Sequence, residues 1–145
     1  MKMYAARIET GADVKQAIVQ FVVSKQLTSA VILSASGSLS GARIRMAGAE
    51  PGSEDVRDYQ GDFEIVSLTG TVTRAGQAHL HVAFATQEGA VFGGHIKDGC
   101  TVQTTLELVI ASEESMVFNR ELDANTGYNE LVVDELTPPP YTPEV

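Results

Sequence analysis

The three histidines of this 145-residue chain all fall in one stretch, HLHVAFATQEGAVFGGHI, as His79, His81 and His95. Imidazole can ligate a metal, carry a proton or simply hydrogen-bond. In an extended strand, His79 and His81 share a face roughly 6.5–7 Å apart, a span two imidazoles can close onto one ion. Leu80, Val82 and Phe84 point the other way and satisfy a core, so packing does not require the histidines. A hairpin centred on Glu88 sets His95 directly opposite His81, on the same face, with Cβ atoms about 4.5–5.5 Å apart. Gly93 and Gly94 are expected to keep side chains away from that spot. Three histidines with an open fourth position is the arrangement of catalytic zinc, although iron, nickel, copper and manganese also accept imidazole. The expected cofactor is a divalent metal, with zinc first. The same spacing admits an exposed sheet face of polar imidazoles, or an interface that uses them as hydrogen-bond donors.

These residues need a sheet to hold them. MYAARIE (3–9) has β character. ADVKQAIVQFVVSKQ places Val14, Ile18, Phe21 and Val22 at helical spacing, which predicts an amphipathic helix over 12–26 that starts at Thr10 or Asp13. SAVILSAS (29–36) reads as a buried strand, Gly37-Ser38 as a turn, and LSGARIRMA (39–47) as the next strand. The polar interval 48–62 reads as a surface loop. Strands follow at 63–73, 78–85, 89–96 and 101–110, joined by short turns, with a last short one at MVF (116–118). The expected fold class is α+β: a single domain over 1–135, with an antiparallel-rich mixed sheet and one main helix. Residues 136–145, LTPPPYTPEV, read as a proline-rich mobile tail.

Other residues could serve chemistry beside the histidines. Glu64, in a strand apolar on both faces, and Glu107, in TTLELVI, are candidate catalytic carboxylates, as a partner to a histidine or a base acting on metal-bound water. Each is otherwise a carboxylate paired within the structure. Arg43 and Arg45 are candidate substrate-binding residues able to clamp an anion, with surface ion pairing as the alternative. There is no phosphate-binding Walker loop, no Cys-x-x-Cys, no His-Glu-x-x-His and no serine nucleophile elbow.

Composition narrows the function classes. A hydrophobic fraction of 43% and a charged fraction of 20% are those of a globular protein. No apolar run is long enough for a membrane span, and the N-terminus lacks signal-peptide features. The lone Cys100 excludes an intrachain disulfide and suits a reducing compartment, so a cytoplasmic location is expected. Residues 1–49 carry six bases and two acids, whereas 50–145 carry four bases and seventeen acids, giving a net charge of −9. That field disfavours DNA as a partner, because phosphate binding needs a basic footprint.

The phrases SASGSLSGARIRM, GDFEIVSLTGTV, HLHVAFATQEGAVFGGHI, TTLELVI and FNRELDANTGYNEL, in that order from about residue 4 to 132, resemble the PPC ("plants and prokaryotes conserved") domain family. The resemblance implies an antiparallel-rich domain that assembles as a homotrimer. In plants the domain is joined to AT-hook segments of nuclear DNA-binding proteins. This chain has no Arg-Gly-Arg-Pro hook core, so a DNA-binding or regulatory role stands as the alternative to a metal-dependent one. The fold is shared more distantly with acetolactate decarboxylases, whose zinc is held by a His-x-His pair and a later histidine. His79, His81 and His95 match that order, which implies a metal site; if catalytic, its ion would act on a small carbonyl or carboxylate ligand. It does not imply the decarboxylase activity itself.

Overall fold

The computed structural model describes residues 1–48 and 50–136. The expected tail, apart from Leu136, lies outside the described residues. In chain order the elements are β1 (Lys2–Glu9), α1 (Val14–Ser24), β2 (Ser29–Arg45), β3 (Val56–Thr73), β4 (Ala78–Ala85), β5 (Val91–Ile96), β6 (Thr101–Ser112), β7 (Met116–Leu122) and β8 (Asn129–Glu135). The fold is predominantly β, with one helix, so the α+β description holds only coarsely. Every strand pairing among the described residues is antiparallel, and the expected mixed character is not observed.

Asp13, not Thr10, starts the helix. Its carboxylate accepts from Gln16 N at 2.9 Å and from Gly99 N at 2.5 Å, so one side chain both caps α1 and holds the β5–β6 turn. Val14, Ile18 and Val22, four residues apart, are fully buried and seat the helix on one face of the sheet. Its β-branched residues are mediocre helix formers, so this packing, rather than propensity, maintains it. Asp13→Ala is expected to cost about 1–2 kcal/mol of stability, read as a lowered urea midpoint.

The main sheet runs β1-β6-β2-β3-β4-β5, and β2 also pairs with β5. The expected turn at Gly37-Ser38 does not form: β2 continues through it for 17 residues. Glycine is required there by close approach, because a Cβ would strike the Thr105 carbonyl oxygen and lie 2.8 Å from Leu106 Cα. Pairing with β6 ends at Gly41↔Thr101, and β2 then bonds β5 through Ile44↔Ile96 and Arg45↔His95. Strands β2 to β5 thereby close on themselves.

The expected loop at 48–62 is also shorter than foreseen. Residues 56–60 pair with Arg45 to Gly41, since the far half of β2 needs a hydrogen-bonded neighbour. Their polar side chains remain exposed while Tyr59 packs on Phe84 and Phe92. The core lies between α1 and this curled sheet, with Leu39, Ile44, Leu80, Phe84, Ile96, Leu106 and Ile110 all under 2% exposed. Each such side chain contributes about 1.5–3 kcal/mol by burial.

At the C-terminal side, the MVF strand extends to Leu122 and pairs with β8, which the sequence reading did not include. This hairpin is tied to the main sheet through Phe118 N to Thr28 O at 2.9 Å and Arg120 Nη2 to Thr71 Oγ1 at 3.0 Å. Among the described residues, no helix is long and apolar enough to cross a membrane.

Candidate metal centre

The histidines converge because three strands hold them in register. β4 alternates so that Leu80, Val82 and Phe84 enter the core while His79 and His81 face away. Thr71 and Thr69 of β3 stand opposite them. His95 lies directly opposite His81, as the hairpin arithmetic expects, and also opposite Arg45 of β2. The two glycines before His95 have a different purpose from the one expected. A Cβ on Gly93 would strike the Val82 carbonyl oxygen, and one on Gly94 would lie 2.7 Å from both Arg45 O and Ile44 Cγ2. They let β5 pass between β4 and β2, and that passage fixes His95.

One nitrogen from each ring lies within 4.8 Å of the others. The Nε2 atoms of His79 and His81 are 3.1 Å apart, close to the roughly 3.4 Å between two nitrogens bonded at 2.0–2.1 Å to a tetrahedral ion. Nδ1 of His95 is buried without a hydrogen-bond partner. Burial, helped by the Arg45 charge and the other two imidazoles, pushes the His95 pKa down to about 4. Burial, then His81, also lowers His79. Neutral imidazole, with a free lone pair, is the ligating form. The donor set therefore fits a borderline divalent ion such as zinc.

Because His95 is harder to protonate in the folded chain than in the unfolded one, its contribution to stability is complete above about pH 6.5. It is lost as pH falls toward about 4. Metal-free protein should accordingly show a urea midpoint that declines across that window, with His95→Gln flattening the decline.

A cleft of about 430 Å³ opens beside the cluster, lined in part by Arg45, His79, His95, Arg120, Tyr128 and Glu130. Arg45 is paired with Glu54 at 3.2 Å, and its guanidinium carbon lies 5.2 Å from the Tyr128 ring centre. Of the residues expected from sequence, the three histidines and Arg45 come together. Arg43 is exposed, 3.8 Å from Asp58, and does not line the cleft. Glu64 is exposed on β3 opposite Ala85, four residues beyond His81 along β4, or about 13 Å at strand rise. Glu107 is exposed on β6 between Arg7 and Ser36. Neither stands at the cluster within one chain. The sequence reading missed Arg120, Tyr128 and Glu130, all delivered by the β7–β8 hairpin. The Asp-Ala-Asn-Thr-Gly turn, followed by alternating Leu131 and Val133, was the available signal.

Among known proteins, the chain is 37% identical over 144 residues to a bifunctional protein GlmU of Synechococcus, of which it spans only 22%. It is 29% identical over 118 residues to AT-hook motif nuclear-localized protein 8 of Arabidopsis thaliana, and spans 29% of it. The chain thus covers about a quarter of these relatives. Its fold matches a hypothetical protein of Salmonella with TM-score 0.86 and 38% identity, covering 92% of this chain and 94% of that one. It matches a metal-containing protein of Archaeoglobus fulgidus with TM-score 0.73 and 26% identity, covering 91% and 94%. The fold alone is shared with a Staphylococcus aureus protein described as similar to alpha-acetolactate decarboxylase (TM-score 0.55, 20% identity, covering 79% and 54%). A family model spans residues 1–114, and on that match the chain belongs to the Plants and Prokaryotes Conserved domain family.

Proposed function

We propose that this chain holds a divalent ion, zinc first, on His79, His81 and His95, and presents it to a small carbonyl or carboxylate ligand in the adjoining cleft. The observation that carries this reading is the meeting of three imidazole nitrogens within 4.8 Å, with His79 and His95 on the cleft wall. The metal content of the Archaeoglobus relative supports it. A bound ion would supply Lewis acidity toward a ligand oxygen. The chain's own residues do the rest: the glycines fix His95, Arg45 braces the wall through Glu54 and Tyr128, and the hairpin narrows access to solvent.

The proposed assembly is a homotrimer in the cytoplasm. Leu33 and Val66 are more than half exposed and Val31 more than a third, an apolar surface that association would bury. The buried, unpaired Cys100 suits a reducing compartment. Glu64 and Glu107, exposed and away from the cluster, would act as a base only toward a neighbouring copy's site.

The test is metal analysis of untagged protein, with zinc titration of the parent and of His81→Ala. About one ion per chain, bound much more weakly by the variant, is expected. Absence of stoichiometric metal together with unchanged zinc affinity in His81→Ala would sink the reading. DNA binding, which the resemblance to the plant domain joined to AT-hooks implies, is the second reading. With a net charge of −9, the chain is expected to leave duplex DNA unshifted even at low salt, and a salt-sensitive shift would favour that alternative.

A further inference from the structure

Arg120 is an unusually placed arginine. Its Nη2 donates to Thr71 Oγ1 at 3.0 Å and its Nη1 to the Asn129 carbonyl at 3.2 Å, while its Nε is buried with no hydrogen-bond partner. A guanidinium has five N–H donors, so these contacts leave it under-satisfied. Among the described residues no carboxylate lies within 4 Å of it, whereas Arg45 is paired with Glu54 and Lys15 with Asp98. Burial makes the charge harder to keep, yet arginine does not release its proton under ordinary conditions. A half-buried cation with no carboxylate in contact, which Glu130 offsets only in part and from a distance, is costly unless an anion joins it.

Its position says where that anion would lie. Thr71, which Arg120 grips, is directly opposite His79 across the β3–β4 ladder. The guanidinium therefore stands about one side chain from the three histidines, on the wall of the same cleft. Glu130 lines that cleft too. Its negative charge discriminates against a dianion, and one under-satisfied guanidinium matches a single carboxylate.

We infer that Arg120 binds the carboxylate of a small ligand whose adjacent carbonyl or hydroxyl oxygen faces the three histidines. This rests on the metal reading above and names the ligand class for that site: short 2-oxo or 2-hydroxy carboxylates. Arg43 has no part in it, and Arg45 shapes the wall.

The test titrates pyruvate, its neutral counterpart pyruvamide and inorganic phosphate into the zinc-loaded full chain by calorimetry. Pyruvate should bind at least about tenfold more tightly than pyruvamide. Arg120→Gln should abolish that preference while zinc stoichiometry and pyruvamide affinity stay unchanged, and Arg120→Lys should keep part of it. No binding of pyruvate, an unchanged preference in Arg120→Gln, equal loss of both ligands, or Arg120-dependent binding of phosphate in preference to pyruvate would each overturn the inference. Should the parent chain fail to load zinc, the metal reading falls. The anion site survives only if metal-free protein still prefers pyruvate through Arg120.

Discussion

A His95→Ala chain should bind zinc at least about a hundredfold more weakly than the parent, measured by competition with a chelating dye. His95 is the best fixed of the three candidate ligands. It is half-buried, lies opposite both His81 and Arg45, and keeps a buried nitrogen without a protein partner. Without it, two imidazoles 3.1 Å apart remain on one strand, and His81 is exposed to competing water. A pair of that kind lacks the third donor that excludes solvent from the ion. The variant should still fold, because Ile96, the residue that β5 buries in the core, is untouched. A loss of less than about tenfold would mean that the cluster does not act as a three-nitrogen site.

Gly93→Ala should cost about 3 kcal/mol of stability and also weaken zinc binding by the molecules that remain folded. The three atoms nearest the added Cβ are all backbone: the Val82 carbonyl oxygen, Ala83 Cα at 2.9 Å and the Val82 carbonyl carbon at 3.2 Å. Backbone cannot swing aside as a side chain can, so β5 must separate from β4 and carry His95 with it. Gly89, in the turn of the same hairpin, gives the contrast. Its φ of +82° strains an alanine, but a Cβ there meets nothing within 4 Å. Gly89→Ala should therefore cost about 1–2 kcal/mol, less than Gly93→Ala, and leave zinc affinity unchanged. Denaturant midpoints with chelator present, followed by zinc titration, separate the two effects.

The contrast between these glycines also marks how far the sequence could be read. Strand β4 and the opposition of His81 to His95 were legible because both depend on local rules: alternation along a strand and residue counting around a short turn. Gly37 misled because a strand glycine resembles a turn residue unless the neighbouring strand is known. The need for glycine there comes from Thr105 and Leu106, nearly seventy residues away. Residues 56–62 are polar enough for a loop and become strand because β2 supplies the partner. Arg120 and Glu130 reach the cleft only through tertiary docking of the β7–β8 hairpin. Arg43 and Arg45 look equivalent in sequence, yet β2 turns toward β5 between them and only Arg45 meets the histidines.

On the proposed function, His79, His81 and His95 jointly hold one metal ion. An anomalous-scattering map of an untagged crystal tests it most directly, because it reports occupancy, element and geometry together. A single peak bonded to nitrogens of His79, His81 and His95, with the cleft open beside it, is the predicted result. No peak, with the three imidazoles turned apart or hydrogen-bonded only to protein atoms, would contradict the account.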